Sequence, residues 1–163
     1  MRHLLLLILF NNFKIFAQDT SRRNEVFIEF GNHSLTTAVN YHRQLFGEKG
    51  LGIRTGIGSY SYSHFKPVVP VVINYRFKLL RKASYLDASA GITWTNADDV
   101  SLYASKPKPA LGVPKQQRYF LPILSIVWVR QTKDNWSYRF GFSDVFTVAG
   151  GLPYIGFSIG RKF

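Results

Sequence analysis

The sequence predicts an all-β chain: an eight-stranded antiparallel up-and-down transmembrane β-barrel that follows a cleaved signal peptide. Three observations predict it. Beyond the first eighteen residues, apolar side chains recur at every second position in one short segment after another, with almost no helical period. The positions between them carry Gly, Ser, Asn, Thr and single charges, where a water-facing strand would be rich in Lys and Glu. Aromatic residues make up 16% of the chain, and several fall near segment ends, where a membrane interface holds amphipathic rings.

The first element is residues 1–18. A basic start (Arg2, His3) leads into the apolar run Leu4 to Phe10, and Ala17 offers a small exit residue. This is the pattern of a secretory signal peptide, with cleavage after Ala17 or Gln18. Residues 19–163 are then one barrel domain, since 163 residues leave little room for a second. No apolar run reaches the ~18 residues of a spanning helix. The absence of cysteine excludes disulfides, thiol catalysis and zinc ribbons.

Eight strands follow in order. In the first, Val26, Ile28 and Phe30 alternate with Glu25, Phe27 and Glu29. In the second, Leu35, Thr37, Val39 and Tyr41 alternate with Thr36, Ala38, Asn40 and His42. The third sets Leu51, Ile53, Thr55 and Ile57 against Gly52, Arg54, Gly56 and Gly58. The fourth sets Val69, Val71, Ile73, Tyr75 and Phe77 against Pro70, Val72, Asn74 and Arg76. The fifth sets Leu86, Ala88, Ala90, Ile92 and Trp94 against Asp87, Ser89, Gly91 and Thr93. The sixth, Tyr119 to Arg130, is apolar on both parities and its faces stay open. The seventh runs from Trp136 to Ser143 and the eighth from Ile155 to Phe163.

Connections supply a further test. Those after strands two, four and six are short, polar and turn-like. Those after strands three, five and seven are read as Tyr60 to Lys66, Thr95 to Arg118 and Asp144 to Leu152; the first, Asn32-His33-Ser34, is short. Short turns on one side and longer loops on the other suit a membrane barrel.

The last strand, Pro153 to Phe163 with its alternating apolar residues and terminal Phe163, and the exit Phe16-Ala17-Gln18 carry a resemblance. The chain resembles small eight-stranded outer-membrane β-barrels like the OmpA transmembrane domain, most of all those of Bacteroidota. The resemblance implies residence in the bacterial outer membrane, with outer-membrane lipids, lipopolysaccharide and the barrel-assembly machinery as partners. It also implies that Phe163 belongs to the signal which that machinery reads.

Parity places Glu29, Arg54, Arg76, Asp87 and Arg139 inside the barrel, with Asn74 and His42. Eight strands leave a lumen that side chains can fill. Charges there must pair, so Glu29 and Asp87 are expected to meet arginines as a polar plug. The chemistry of an enzyme is poorly represented. Ser61, Ser63 and His64 share one outer connection and His33-Ser34 another, with no acid located beside either pair. The scattered histidines give no metal-ligand spacing, and no cofactor motif is present. The Gly-x-Gly spacings lie within strands and precede no helix. Twenty-one Lys and Arg against nine Asp and Glu give a charge of +12. The basic residues are spread over turns, the Lys106–Arg118 region and the lumen, which fits anionic lipid better than nucleic acid.

The expected function is therefore non-enzymatic: a monomeric outer-membrane barrel with a structural or surface-interaction role. A narrow pore, or an OmpW-like conduit for small solutes, is the alternative. A soluble periplasmic β-barrel binding a small ligand is a second.

Overall fold

A computed structural model describes residues 23–59, 65–80, 83–95, 120–147 and 150–163. The expected signal peptide, the Ser61-Ser63-His64 group and nearly all of the 95–118 segment lie outside the described residues. Eight strands form: β1 Asn24–Phe30, β2 Thr37–Gln44, β3 Gly50–Ser59, β4 Pro67–Lys78, β5 Ser84–Thr95, β6 Phe120–Gln131, β7 Trp136–Thr147 and β8 Gly150–Lys162. Each pairs antiparallel with its sequence neighbour, and β1 pairs with β8, so the sheet closes. The eight-stranded antiparallel up-and-down barrel read from the sequence is the fold observed. Closure also pairs the edges that an open sheet would leave exposed.

The stagger of the barrel follows from the register. Directly opposed residues lead from Lys162 through Glu25, His42, Arg54, Val72, Gly91, Ile123 and Val145 to Leu152. One circuit thus returns to β8 ten residues from its start. Such a stagger tilts the strands and leaves an interior that side chains can fill.

Alternation sorts the side chains. Val26, Ile53, Ile73, Leu124, Phe140 and Phe157 are among the large apolar residues on the outer surface. Asn40, Asn74, Ser125, Ser143 and Ser158 turn inward with the charges Glu25, Glu29, Arg54, Arg76, Asp87 and Arg139. Tyr41, Phe77, Trp128 and Trp136 ring the outside near the end that carries β1's start and β8's finish, called here the terminal end.

Three features depart from the sequence reading. In β6, Phe120, Leu124, Ile126 and Trp128 face outward while Leu121, Ile123, Val127 and Val129 are buried. Leu121 and Ile123 pack with Leu35, Val68, Val145 and Tyr154, so the far end of the lumen is an apolar layer rather than part of a polar plug, while Val127 and Val129 pack against Tyr85 nearer the terminal end. Both parities of β6 are apolar because both of its environments are. Second, β7 runs on to Thr147 and β8 starts at Gly150, leaving only residues 148 and 149 between them. The long connection expected from Asp144 to Leu152 is a tall hairpin. Asp144 breaks the outward apolar row and so looks like a strand end, yet its carboxylate sits over Gly151, where a Cβ would approach Oδ1 to 2.7 Å. Third, β2 starts at Thr37, and Leu35 turns into the lumen at positive φ instead of facing outward.

The third departure comes from the β1–β2 connection. It does not cap the barrel from outside. Asn32–Ser34 form a 3-10 turn whose three side chains are all buried inside. Gly31, at φ 73°, starts the inward fold, and a Cβ there would meet the Ile155 carbonyl oxygen at 2.3 Å. Opposite, Gly156 clears the path, since its Cβ would lie 2.3 Å from that of Asn32. Replacing Gly156 by valine is therefore expected to expel the turn, at a cost of about 1–3 kcal/mol for the overpacked site. Faster amide hydrogen exchange across residues 31–36, with protection of β4 and β5 unchanged, is the measurement that checks it.

A closed lumen as the candidate functional site

Three layers fill the described lumen. Nearest the terminal end lies an ionic layer. Glu25 accepts from the Arg139 guanidinium and from the Ser137 hydroxyl, and its carboxylate is 3.6 Å from His42 Nδ1. Asp87 receives Arg76 as a two-pronged pair, Nε and Nη2 each donating over 2.7 Å. Arg139 Nη1 reaches to 3.8 Å from Asp87, so one guanidinium spans both carboxylates. Strand register brings these groups together: Arg76 is directly opposite Asp87, and Glu25 opposite His42. A planar fork matches a carboxylate as no ammonium can.

The middle layer is built on Phe27. The Arg139 guanidinium lies 4.3 Å from its ring centroid and that of Arg54 5.0 Å, so the ring is flanked by two cations. Arg54 donates to Glu29 and, over 3.3 Å, to Asn40 Oδ1. Cations over an aromatic face in a desolvated site are held by about 2 kcal/mol. The 3-10 turn completes this layer from above. Ser34 and Asn32 donate to the Glu29 carboxylate, and the His33 carbonyl accepts from Thr93. His33 Nε2 is 3.0 Å from Ser125 Oγ, which is 2.5 Å from Ser89 Oγ. The apolar layer of Leu35, Val68, Leu121, Ile123, Val145 and Tyr154 closes the far end.

All five lumen residues named from parity thus lie inside, joined two by two as Glu29–Arg54 and Asp87–Arg76, with Arg139 shared. Among the described residues, the buried carboxylates Glu25, Glu29 and Asp87 face the buried guanidiniums Arg54, Arg76 and Arg139. His42 and Asn74 join across 3.0 Å. Phe163 is elsewhere: its ring is exposed at the terminal end, and its backbone N–H donates to the Asn24 carbonyl over 2.9 Å. Sequence reasoning left Glu25 and Phe27 off the site although both share Glu29's parity. It also set His33-Ser34 in a surface loop, whereas both are 0% exposed. The signal that could have located the turn was there: glycine followed by a polar triplet too short for a typical outer loop.

The Ser125–His33–Glu29 line has the residue types of a nucleophile relay, with His33 Nδ1 4.0 Å from Glu29. Its atoms are enclosed on every side, and Glu29 is committed to Arg54, Ser34 and Asn32. As arranged, it ties the turn to β1, β5 and β6. Among the described residues, no group of three or more His, Asp or Glu is arranged to hold a metal ion.

The molecule is thus defined as a closed eight-stranded barrel with an apolar exterior and a packed, charge-balanced lumen. Solved structures with the same architecture include outer-membrane barrels and designed transmembrane ones. The N-terminal β-barrel domain of Pseudomonas aeruginosa OprF superposes with a TM-score of 0.65 at 11% identity, covering 88% of this chain and 98% of that one. Designed transmembrane β-barrels give 0.58 at 12%, covering 89% and 98%. Yersinia pestis outer membrane protein Ail, solved in a phospholipid bilayer nanodisc, gives 0.53 at 9%, covering 88% and 100%. At these identities the likeness is one of fold. No protein-family model matches the chain, and no curated protein does.

Proposed function

We propose that the protein is a non-enzymatic outer-membrane β-barrel with a structural or surface-interaction role. It would stand in the bacterial outer membrane with its terminal end toward the periplasm. One observation carries this reading: large apolar side chains cover the outside of every strand while the charges are neutralised in pairs within. A soluble barrel has no use for such an exterior, whereas lipid requires it, along with the complete backbone pairing that closure provides. Outer-membrane lipids and lipopolysaccharide are then its surroundings. The barrel-assembly machinery is its partner in insertion, with Phe163 in the segment read, and a closed sheet with no free edge to pair supports a monomer. An amino-terminal leader at residues 1–18 supplies the export this requires.

The test is gel mobility of the protein in isolated outer membranes, with and without boiling. A compact species that shifts on heating is expected. A protein without a shift, recovered in the soluble periplasmic fraction, would overturn the reading in favour of a soluble β-barrel that binds a small ligand. The pore alternative is opposed by the filled layers, and planar bilayers are expected to stay silent on addition of the protein. Steady channel currents would instead establish a narrow conduit. Bulky substitution at Gly56 is no clean test of such a path, because a Cβ there would meet Asn40 Oδ1 at 2.3 Å.

A further inference from the structure

At the terminal end, the seam where β8 closes onto β1 carries a groove of 490 Å³ on the outer surface. Its outward walls are Val26, Ile28, Trp136, Ile159 and Phe163, and two cations line it, the exposed Arg161 and the half-buried Lys162. Arg161 is directly opposite Val26 on one side and Trp136 on the other. Its guanidinium lies 5.9 Å from the Trp136 ring centroid. Across β1, the exposed Arg43 stands opposite Asn24. The Asn24 side chain is taken by the Tyr41 hydroxyl and its carbonyl by the Phe163 N–H. Among the described residues no carboxylate pairs with Arg43 or Arg161; the nearby Glu48 faces Lys78 and Tyr85 instead.

We propose that this seam is a seat for one glycerophospholipid with an anionic headgroup, its phosphate held by Arg161 and Arg43 and an acyl chain lying along Val26, Ile28 and Ile159. The inference rests on the membrane reading and deepens it. An apolar trough ending at two exposed guanidiniums matches a molecule that is apolar along its length and anionic at one end. The stacked indole holds the Arg161 guanidinium at the depth where a headgroup begins. A second copy of the chain fits less well, because a two-fold contact through this seam would set the same arginines against each other.

Tryptophan quenching tests the seat with the full-length protein refolded into vesicles. Trp94→Phe with Trp128→Phe leaves Trp136 as reporter; Trp128→Phe with Trp136→Phe leaves Trp94, at the far end, as control. The vesicles are phosphatidylcholine containing a fixed fraction of acyl-brominated lipid, either phosphatidylglycerol or phosphatidylcholine. Trp136 is expected to prefer the brominated phosphatidylglycerol by more than about fivefold, since each of the two cations near an anionic lipid supplies about that ratio, and Trp94 to show no preference. Arg161→Gln should cut the preference about fivefold and Arg161→Gln with Arg43→Gln should abolish it, Arg161→Lys should retain much of it, and high salt should weaken it. All three variants are checked for the heat-induced gel shift. Equal quenching of Trp136 by the two lipids, or a preference that survives Arg161→Gln with Arg43→Gln, overturns the proposal. So does quenching of Trp94 with none at Trp136, which would mean that protein covers the seam. No quenching at either position would overturn the membrane reading itself, and the lipid seat with it.

Discussion

Arg139→Met is expected to destabilise the barrel by about 3–5 kcal/mol, the cost of breaking a buried pair while its partners stay charged. The guanidinium is the shared member of the ionic layer: it donates to Glu25, approaches Asp87 and covers the Phe27 ring. Methionine fills much of the volume and supplies none of the charge. Glu25 keeps only Ser137 and the neighbouring His42, while Asp87 keeps Arg76. The loss should fall mainly on Glu25. Adding Glu25→Gln to Arg139→Met is therefore expected to recover a substantial part of the cost, since it removes the carboxylate left unpaired. Urea unfolding of the single and double variants in detergent micelles measures the coupling directly. Additive losses would show that the two groups are solvated independently and that the lumen is wetter than the packing of Phe27 implies.

Why the lumen partners were only half legible follows from what a register is. Parity alone puts Arg76, Asp87 and Arg139 on the inner face, because the side-chain period of a strand is two. Parity does not say which residues stand at the same height. That depends on the stagger accumulated around the barrel, which is set by turns and strand lengths. Arg76 opposite Asp87 is a nearest-neighbour hairpin pairing, within reach of a count back from the Lys78–Ser84 turn. Glu25 with Arg139 is not, for β8 separates their strands.

The same distinction explains β6 and the 3-10 turn. Alternation signals a strand only where its two sides meet different surroundings. β6 meets apolar surroundings on both sides at its far half, with Ile123 against the core and Leu124 outside, and the signal vanishes. The turn fails for another reason. Polar residues between strands read as solvent-facing loop, but Asn32, His33 and Ser34 find their hydrogen-bond partners on Glu29, Thr93 and Ser125 inside. Only the three-dimensional gap opposite Gly156 makes that inward course available.

Phe140→Arg carries the other large effect and separates a lipid-facing exterior from a water-facing one. Phe140 is 55% exposed near the middle of β7, in an outward row that runs Phe30, Phe157, Phe140, Trp128 across four adjacent strands. Nothing in that row offers an acidic partner. If lipid covers it, a charge there loses its hydration, and the barrel should lose about 2–4 kcal/mol. If water covers it, an exposed side chain exchanges one solvated group for another and the change should stay within about 0.5 kcal/mol. Phe140→Leu controls for lost ring contacts and is expected to cost less than the arginine if lipid covers the row, and about as much as the arginine if water does. Reversible unfolding from phosphatidylcholine vesicles reads all three proteins on one scale. The position also avoids the strand that ends in Phe163, so a defect in insertion through that segment does not enter the measurement. A cost for arginine no larger than that for leucine would remove lipid from the outer face of β7, and with it the reason for so apolar an exterior.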